Sequence, residues 1–231
     1  MSLPPVLELH GVAKLYGRTA ALRATSLRVE QGQTLALLGP NGSGKTTLLK
    51  IVAGAITPSL GHGSILGRDM VAERPALRSQ VCLLASESYL YEDLTALENL
   101  RFILTMSGRR VIHEEVRRVL AEVGLAARAG ERVRSFSSGM KRRLGLARVL
   151  LFQPALLLLD EPYNSLDEGG AELVDALVRR TSQEARSTIL ATHDADRALA
   201  LTDLVVMLRQ GTVSYAGSVE AYRASYANHV G

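Results

Sequence analysis

The sequence predicts an α/β protein whose mainly parallel β-sheet is covered by helices. Two short apolar runs, TLALLG at 34–39 and ALLLLD at 155–160, have the length and composition of buried parallel strands. Segments between such runs repeat their apolar residues at helical spacing. With 231 residues, the chain is long enough for one substantial core. We therefore expect one α/β unit with an added lobe.

The N-terminal part predicts strands followed by one helix. VLELH and SLRVE are β-like, and Gly32 separates them from the buried strand TLALLG. We expect a helix over 45–53. Glycines and Pro58 crowd residues 54–67, which predicts a loop or a hairpin there. The run VCLLA at 81–85 predicts another buried strand.

The middle of the chain has helical spacing. Thr95 and Glu98 have the spacing of a capping box ahead of ALENLRFILTM. Apolar residues from Val111 onward repeat at helical spacing until Gly124 ends the run. We therefore predict a helical block from residue 92 to about 151, inserted between strands.

The α/β alternation returns after Pro154. ALLLLD is followed by a predicted helix at about 168–180, the strand TILAT, a short helix, the strand LVVML and a hairpin around RQG. Strands that alternate with helices in this way favour a parallel sheet.

Composition limits the classes of function. Apolar residues make up 47% and charged residues 22%, as in ordinary globular proteins. No window has the eighteen or so apolar residues of a membrane-spanning helix, and MSLPPVLELH does not resemble a secretion signal. One cysteine, Cys82, excludes a disulfide framework, so we expect a cytosolic location. The net charge of +4 comes without a basic stripe interleaved with aromatic residues, so we expect no nucleic acid partner.

The most specific motif is GPNGSGKTT at 39–47, which follows a predicted strand and opens a predicted helix. It satisfies the P-loop pattern G-x-x-x-x-G-K-[ST], in which backbone N–H groups surround phosphate oxygens. The lysine neutralises phosphate charge, and the hydroxyl after it ligates Mg²⁺. The predicted nucleotide-binding residues are Gly39, Pro40, Asn41, Gly42, Ser43, Gly44, Lys45, Thr46 and Thr47.

Two adjacent acidic residues lie at the end of the strand in ALLLLDEP, residues 155–162. Asp160 is predicted to hold Mg²⁺ together with Thr46, and Glu161 to orient and deprotonate the attacking water. With Lys45 as a further catalytic residue, these motifs indicate a P-loop NTPase.

A second anion site is predicted at SFSSGMKRRLGLAR, residues 135–148, where a Ser-Ser-Gly turn runs into an arginine-rich helix. Helix N-termini attract anions because their N–H groups are unpaired and the helix dipole is positive there. Since the P-loop already supplies one such site, this turn raises the question of which phosphate it holds.

These landmarks, in their order and spacing, resemble the ATP-binding subunit of an ABC transporter along essentially the whole chain. Tyr16 in KLYG matches the aromatic residue that stacks on adenine, and SFSSGMKRR matches the signature motif. NSLD, which ends at Asp167, matches the D-loop, and His193 in ATHD matches the switch histidine. The departure is Ser86, which stands where the family has a glutamine that contacts Mg²⁺.

The resemblance implies one ABC ATPase domain over 1–231. Its RecA-like P-loop core and N-terminal antiparallel β subdomain would occupy 1–85 and 152–231. An inserted α-helical subdomain with the signature motif would occupy 86–151.

The resemblance also implies cofactors and partners. Ser137 and Gly139 would cap the γ-phosphate of an ATP held by the P-loop of a second subunit, so that a homo- or heterodimer encloses two ATP molecules with Mg²⁺. Asp167 would belong to the same nucleotide site, and His193 would contact the γ-phosphate and position the catalytic water. The dimer would drive separate transmembrane permease subunits through a groove near residues 86–100. This implies a peripheral location on the cytoplasmic face of the inner or plasma membrane.

The type of transporter is predicted from two further stretches. LYEDLTALENLRF and FSSGMKRRLGLARVLL are similar to exporter-type subunits, and we expect the haem exporters of cytochrome c maturation, with the ABC-2 group as the alternative. Chromosome and repair ATPases carry long coiled coils between the two motifs, whereas Lys45 and Ser137 are only 92 positions apart here. Translation-associated ATPases need two cassettes in one chain. A catalytically silent regulatory subunit stays open because of Ser86.

Overall fold

The computed structural model of the protein describes residues 3–85, 89–108 and 112–227. In chain order the elements are β1 (Leu7–Tyr16), β2 (Thr19–Val29), β3 (Thr34–Leu38), α1 (Lys45–Val52), β4 (Leu60–Ile65), β5 (Arg68–Asp69), α2 (Arg74–Leu77), β6 (Val81–Leu84), α3 (Ala96–Met106), α4 (His113–Glu122), α5 (Ser138–Phe152), β7 (Leu156–Asp160), α6 (Glu168–Gln183), β8 (Ser187–Ala191), α7 (Ala195–Leu199), β9 (Leu204–Arg209), β10 (Thr212–Ser218) and α8 (Val219–Ala227). Two 3₁₀ turns, Ala126–Arg128 and Val133–Ser135, lie between α4 and α5.

The larger sheet has six strands in the order β10-β9-β3-β8-β7-β6. All of its neighbouring pairs are parallel except β9 and β10, which form an antiparallel hairpin. Every residue of β3, β7 and β8 is buried, which explains their continuous apolar runs. The predicted mainly parallel sheet is confirmed.

This sheet has a separate hydrophobic core on each face. Successive residues of a strand point to opposite faces, so Ala36 and Leu38 pack into one core while Leu35 and Leu37 pack into the other. The first core also contains most of the buried apolar residues of α3 to α6. The second contains residues of β1, β2, β4 and α1. The sheet therefore lies between two apolar layers and holds the ends of its strands in fixed positions.

The smaller sheet is antiparallel and has the order β2-β1-β4-β5. Its first two strands are longer than the predicted segments, because β1 continues through several register shifts to Tyr16. Within the predicted loop-or-hairpin stretch, Leu60–Ile65 forms β4, which turns back through Leu66 and Gly67 into β5. The expected N-terminal antiparallel sheet is present.

The helices between β6 and β7 begin with the predicted capping box. Thr95 Oγ1 accepts from the Glu98 N–H, and the Glu98 carboxylate accepts from the Thr95 N–H, so two backbone donors at the start of α3 are satisfied. Helix α4 begins at His113; Val111, where we expected the pattern to start, lies outside the described residues. The helices α2 and α8 were not predicted.

Membrane-spanning helices were searched for within residues 3–85, 89–108 and 112–227. No helix in these ranges has both the length and the apolar character that crossing a bilayer requires.

Candidate nucleotide-binding and hydrolysis site

A cavity of about 280 Å³ lies at the carboxyl ends of β3 and β7. In a parallel sheet this edge is where loops converge and ligands bind. The cavity lies next to the N-terminus of α1, whose first turn supplies unpaired N–H groups. Its lining residues are Ala21, Asn41, Gly42, Ser43, Gly44, Lys45, Thr46, Thr47, Asp160 and Glu161.

Two glycines allow the P-loop backbone to pack closely against neighbouring segments of the chain. Gly39 has φ +142°, and a Cβ atom there would lie 2.2 Å from the carbonyl oxygen of Leu208. Gly44 is the N-cap of α1 with φ +106°, and a Cβ atom there would lie 2.7 Å from the carbonyl oxygen of Ala21. Neither position accepts another residue without a shift of the backbone.

Lys45 lies buried at the start of α1. Its Nζ donates to the carbonyl oxygens of Gly39 at 2.7 Å and Pro40 at 3.3 Å, and lies 3.7 Å from Glu161 Oε1. The loop thus holds an ammonium group against the cavity in which a phosphate would need a counter-charge.

The acidic pair at the end of β7 supplies oxygen donors. The Asp160 Oδ1 and Glu161 Oε1 atoms are buried and have no hydrogen-bond partner in the described part of the chain. Burial raises the pKa of Asp160, while a hydrogen bond from Thr46 and the charge of Lys45 act in the opposite direction. Carboxylate and hydroxyl oxygens are donors that suit Mg²⁺, so Asp160 and Thr46 fit that ion.

No group of three or more His, Cys, Asp or Glu side chains within the described ranges could hold a metal ion by itself. Mg²⁺ commonly binds through one or two carboxylates together with the phosphates of the substrate and several waters. This agrees with a metal that is brought in with a nucleotide.

Glu161 has a strained backbone. Its φ is +46°, in the left-handed region, which costs a non-glycine residue about 1–3 kcal/mol and persists only where the surrounding structure imposes it. The Glu161 N–H donates to the carbonyl oxygen of Ala191 in β8 at 2.8 Å. Its side chain is nearly buried, and Oε2 lies 2.8 Å from Nδ1 of His193. The residue with the strained backbone thus places its carboxylate at the cavity and beside the histidine.

His193 follows β8 and has a side chain that is 67% exposed. The next residue, Asp194, caps α7 by accepting from the Arg197 N–H, which ends the loop that carries the histidine. An exposed histidine is thus paired with a nearly buried carboxylate at the cavity edge.

The signature turn lies elsewhere on this chain. Ser137 is exposed and is the N-cap of α5, where its Oγ accepts from the Met140 N–H. A Cβ atom on Gly139 would lie 2.8 Å from the carbonyl oxygen of Ser165, so this glycine permits close contact with the loop before α6. Asp167 caps α6 and pairs with Arg143 at 2.6 Å. None of these residues lines the P-loop cavity of the same chain.

Residues 22–164 match the family model described as ABC transporter, which is more than half of the chain. The chain belongs to the ABC transporter family. The predicted P-loop, the acidic pair and the signature turn all lie within this ABC region.

Curated ABC relatives align with most of the chain. It is 34% identical over 219 residues to the spermidine/putrescine import ATP-binding protein PotA of Mycoplasma mycoides, covering 93% of this chain and 62% of PotA. It is 36% identical over 219 residues to the sulfate/thiosulfate import ATP-binding protein CysA of Photorhabdus laumondii, covering 92% of this chain and 60% of CysA. The chain thus spans about three-fifths of the length of these relatives.

The ABC fold is confirmed by solved structures. A dimeric structure of a bacterial ABC transporter cassette superimposes with a TM-score of 0.85 at 25% identity, covering 92% of this chain and 98% of that chain. The predicted P-loop NTPase class, with antiparallel and mainly parallel sheets plus helices, is therefore correct.

Two residues assigned by ABC resemblance have less structural support. Tyr16 ends β1 with 54% exposure, and its ring centroid lies 5.3 Å from Nζ of Lys14. It does not line the P-loop cavity, and its role with adenine stays a prediction. Ser86, the predicted metal contact, lies outside the described residues.

Sequence reasoning missed Arg142 of the ABC signature helix. Its side chain is only 6% exposed, and its guanidinium group reaches the ends of β6 and β7. A signal was present: residue 142 has helical spacing to the buried Gly145, Leu146 and Val149, which places it on the inner face of α5.

Proposed function

We propose that this protein binds and hydrolyses MgATP as the motor subunit of an ABC transporter. One arrangement carries the proposal: Glu161, which lines the cavity together with Lys45, lies 3.7 Å from Lys45 Nζ and 2.8 Å from His193 Nδ1. A cation for phosphate, a carboxylate that can accept a proton and a histidine that orients this carboxylate are the groups that hydrolysis of a γ-phosphate needs.

In this proposal, the residues of the site bind phosphate, hold Mg²⁺ and activate water. The N–H groups of the P-loop and Lys45 bind the phosphates. Thr46 and Asp160 hold Mg²⁺, which when bound neutralises charge on the phosphate oxygens. Glu161 accepts the proton of the attacking water at Oε1, the oxygen that has no hydrogen-bond partner within the described chain, while His193 holds Oε2.

The working form is a dimer with two shared sites. In each site one protomer supplies the P-loop, and its partner supplies Ser137, Gly139 and the N-terminus of α5. The exposed position of the signature turn, away from its own P-loop cavity, supports this arrangement. The similarity to a dimeric ABC cassette is consistent with it. The whole chain is then one ABC ATPase domain, with 86–151 as its helical subdomain.

Membrane permease subunits are the proposed partners, with the protein peripheral on the cytoplasmic face. The docking surface is a groove of about 460 Å³ between α2 and α3, next to the predicted contact region at 86–100. Tyr91, Phe102 and Met106 are exposed by 51%, 38% and 71% in it, and exposed apolar side chains of this size mark interaction sites. A short amphipathic helix of the permease is the proposed occupant.

The direction of transport is a separate hypothesis. Export of the haem or cytochrome c maturation type, with ABC-2 export as the alternative, rests on the resemblance of LYEDLTALENLRF and FSSGMKRRLGLARVLL alone. The relatives PotA and CysA are named as import proteins and give export no support. Identifying the permease that co-purifies with the chain, followed by transport assays in vesicles, decides the direction.

The proposed activity is tested with the purified chain and its Glu161→Gln variant. We expect Mg²⁺-dependent ATP hydrolysis that EDTA stops, and a loss of turnover of about 100-fold or more in the variant, since general base catalysis contributes about 10²–10⁴-fold. The variant should form an ATP-bound dimer in gel filtration. Glu172→Gln, at an exposed position of α6, is the matched control and should behave as wild type. A monomer with and without ATP in the variant contradicts the dimer.

A further inference from the structure

One arginine of the signature helix grips the backbone beside the acidic pair. Arg142 lies one turn into α5, and its Nε donates to the carbonyl oxygen of Pro162 at 3.1 Å. Its guanidinium also donates to the carbonyl oxygens of Asp160 at 2.9 Å, Glu161 at 2.6 Å and Ala85. Three of these four acceptors are consecutive residues at the end of β7 and just after it, and the fourth, Ala85, follows β6. The guanidinium group therefore fixes the end of β7 in relation to the end of β6.

Burial of the Arg142 guanidinium group carries a desolvation cost. Burial lowers the pKa of Arg142, and the carboxylates of Asp160 and Glu161 offset that effect. Within the described residues, the hydrogen bonds of this side chain go to main-chain carbonyl groups and none goes to a carboxylate. Burying a charge is costly unless the charged group is hydrogen-bonded. Because the hydrogen bonds of Arg142 go to main-chain carbonyl groups, its burial serves to fix the positions of those groups.

The backbone that Arg142 holds is the strained one. Glu161 has φ +46°, and its N–H is tied to Ala191 while its carbonyl oxygen is tied to Arg142. Both main-chain polar groups of Glu161 are thus hydrogen-bonded, the N–H to β8 and the carbonyl oxygen to α5. Strained backbone persists only where the surrounding structure imposes it in this way.

Neighbouring arginines of α5 do not reach this point. Arg143 binds Asp167 and the carbonyl oxygen of Val123, and Arg148 donates to the carbonyl oxygen of Leu83 in β6 at 2.9 Å. Arg148 therefore makes the same kind of contact between α5 and β6, but its hydrogen bond goes to Leu83 and not to Glu161 or its neighbours.

We propose that Arg142 is a positioning residue for hydrolysis, because its planar guanidinium holds the Glu161 backbone in the left-handed conformation that aims the carboxylate at the attacking water. The inference rests on the proposed function, in which Glu161 is the base. A lysine can replace Arg142 only in part, since a single ammonium group lacks the fork that spans several carbonyl oxygens.

The test compares Arg142→Gln, Arg142→Lys and the control Arg148→Gln in the 231-residue chain. For each we measure single-turnover hydrolysis of ATP, the Kd of a fluorescent ATP analogue and the melting temperature. We expect hydrolysis to slow by at least about tenfold in Arg142→Gln and about fivefold in Arg142→Lys, because a small misplacement of a catalytic group can cost up to about 100-fold. The Kd should change by less than about threefold, because the P-loop is untouched.

Arg148→Gln should keep the hydrolysis rate even where it lowers the melting temperature. Three results overturn the inference: wild-type rates in Arg142→Gln, a parallel loss of affinity and rate, or the same slowing in Arg148→Gln. If Arg142→Gln fails to fold, Arg142→Lys decides by the same criteria. Wild-type chain without ATP turnover overturns the proposed function and this inference with it, whereas active wild type with an unchanged Arg142→Gln overturns the inference alone.

Discussion

Nδ1 of His193 lies 2.8 Å from Oε2 of Glu161, so that an exposed imidazole is joined to a nearly buried carboxylate. The other oxygen of that carboxylate faces the Lys45 ammonium group at 3.7 Å. The three side chains come from three elements: the N-terminus of α1, the end of β7 and the loop after β8. The parallel sheet brings them together because all three follow the carboxyl ends of its strands.

This contact predicts the behaviour of His193→Ala. Loss of the imidazole leaves the carboxylate free to rotate, so we expect turnover to fall by about 10²-fold or more. Binding of an ATP analogue should stay within about threefold, since the P-loop amides and Lys45 still hold the phosphates. The rates of single-turnover hydrolysis measure this. His113→Ala, at the exposed start of α4, is the matched control, and an equal loss there would remove the proposed role.

The signature turn gives a prediction about which subunit it serves. In Ser137→Arg the long side chain should prevent closure of two protomers, so turnover is lost while each P-loop still binds nucleotide. Equilibrium binding of a fluorescent ATP analogue and gel filtration with ATP are the measurements. If binding falls as steeply as turnover, the turn serves the P-loop of its own chain.

The groove between α2 and α3 gives a prediction about the membrane partner. Met106→Asp places a charge where an apolar contact is proposed, so co-purification with the permease should fall about tenfold or more, as expected for a loss near 1.4 kcal/mol. Hydrolysis by the purified chain should not change, because the groove is not part of the nucleotide cavity. Leu60→Asp, at an exposed position of β4, is the control. Equal retention of the permease by wild type and Met106→Asp argues against this surface.

The single cysteine predicts a simple chemical result. Cys82 lies in β6, and burial raises the pKa of its thiol, with Arg148 acting weakly in the opposite direction. A raised pKa lowers the thiolate fraction at pH 8, and burial blocks access. The native chain should therefore react with a disulfide reagent at least about 100-fold more slowly than the chain in urea. Comparable rates would show that the edge of the large sheet opens readily.

Local patterns predicted much of the fold. The capping box at Thr95 and Glu98 and the buried strands β3, β7 and β8 were found in the sequence because each depends on neighbouring residues or a short apolar run. The length of β1 was not, since its pairing with β2 continues through irregular register that no periodicity marks. The short helix α2 likewise carries too few residues to show a period.

The candidate site was predicted in part for the same reason. Lys45, Thr46 and Asp160 belong to motifs that are contiguous in sequence. Helical spacing within α5 indicates that Arg142 is buried, but its contact with the end of β7 joins residues about twenty positions apart, and no local pattern identifies those partners. The left-handed φ of Glu161 is equally invisible, because glutamate has no preference for it.

The left-handed backbone of Glu161 lowers the stability of the fold at the residue that is proposed to be the catalytic base. Glycine there would relieve the strain, and asparagine tolerates such a backbone better than glutamate does. Directed evolution for heat resistance alone should therefore enrich these two residues at this position. The selected variants should be more stable but should have lost ATP turnover. Any programme to make the protein more robust has to select for turnover in the same round.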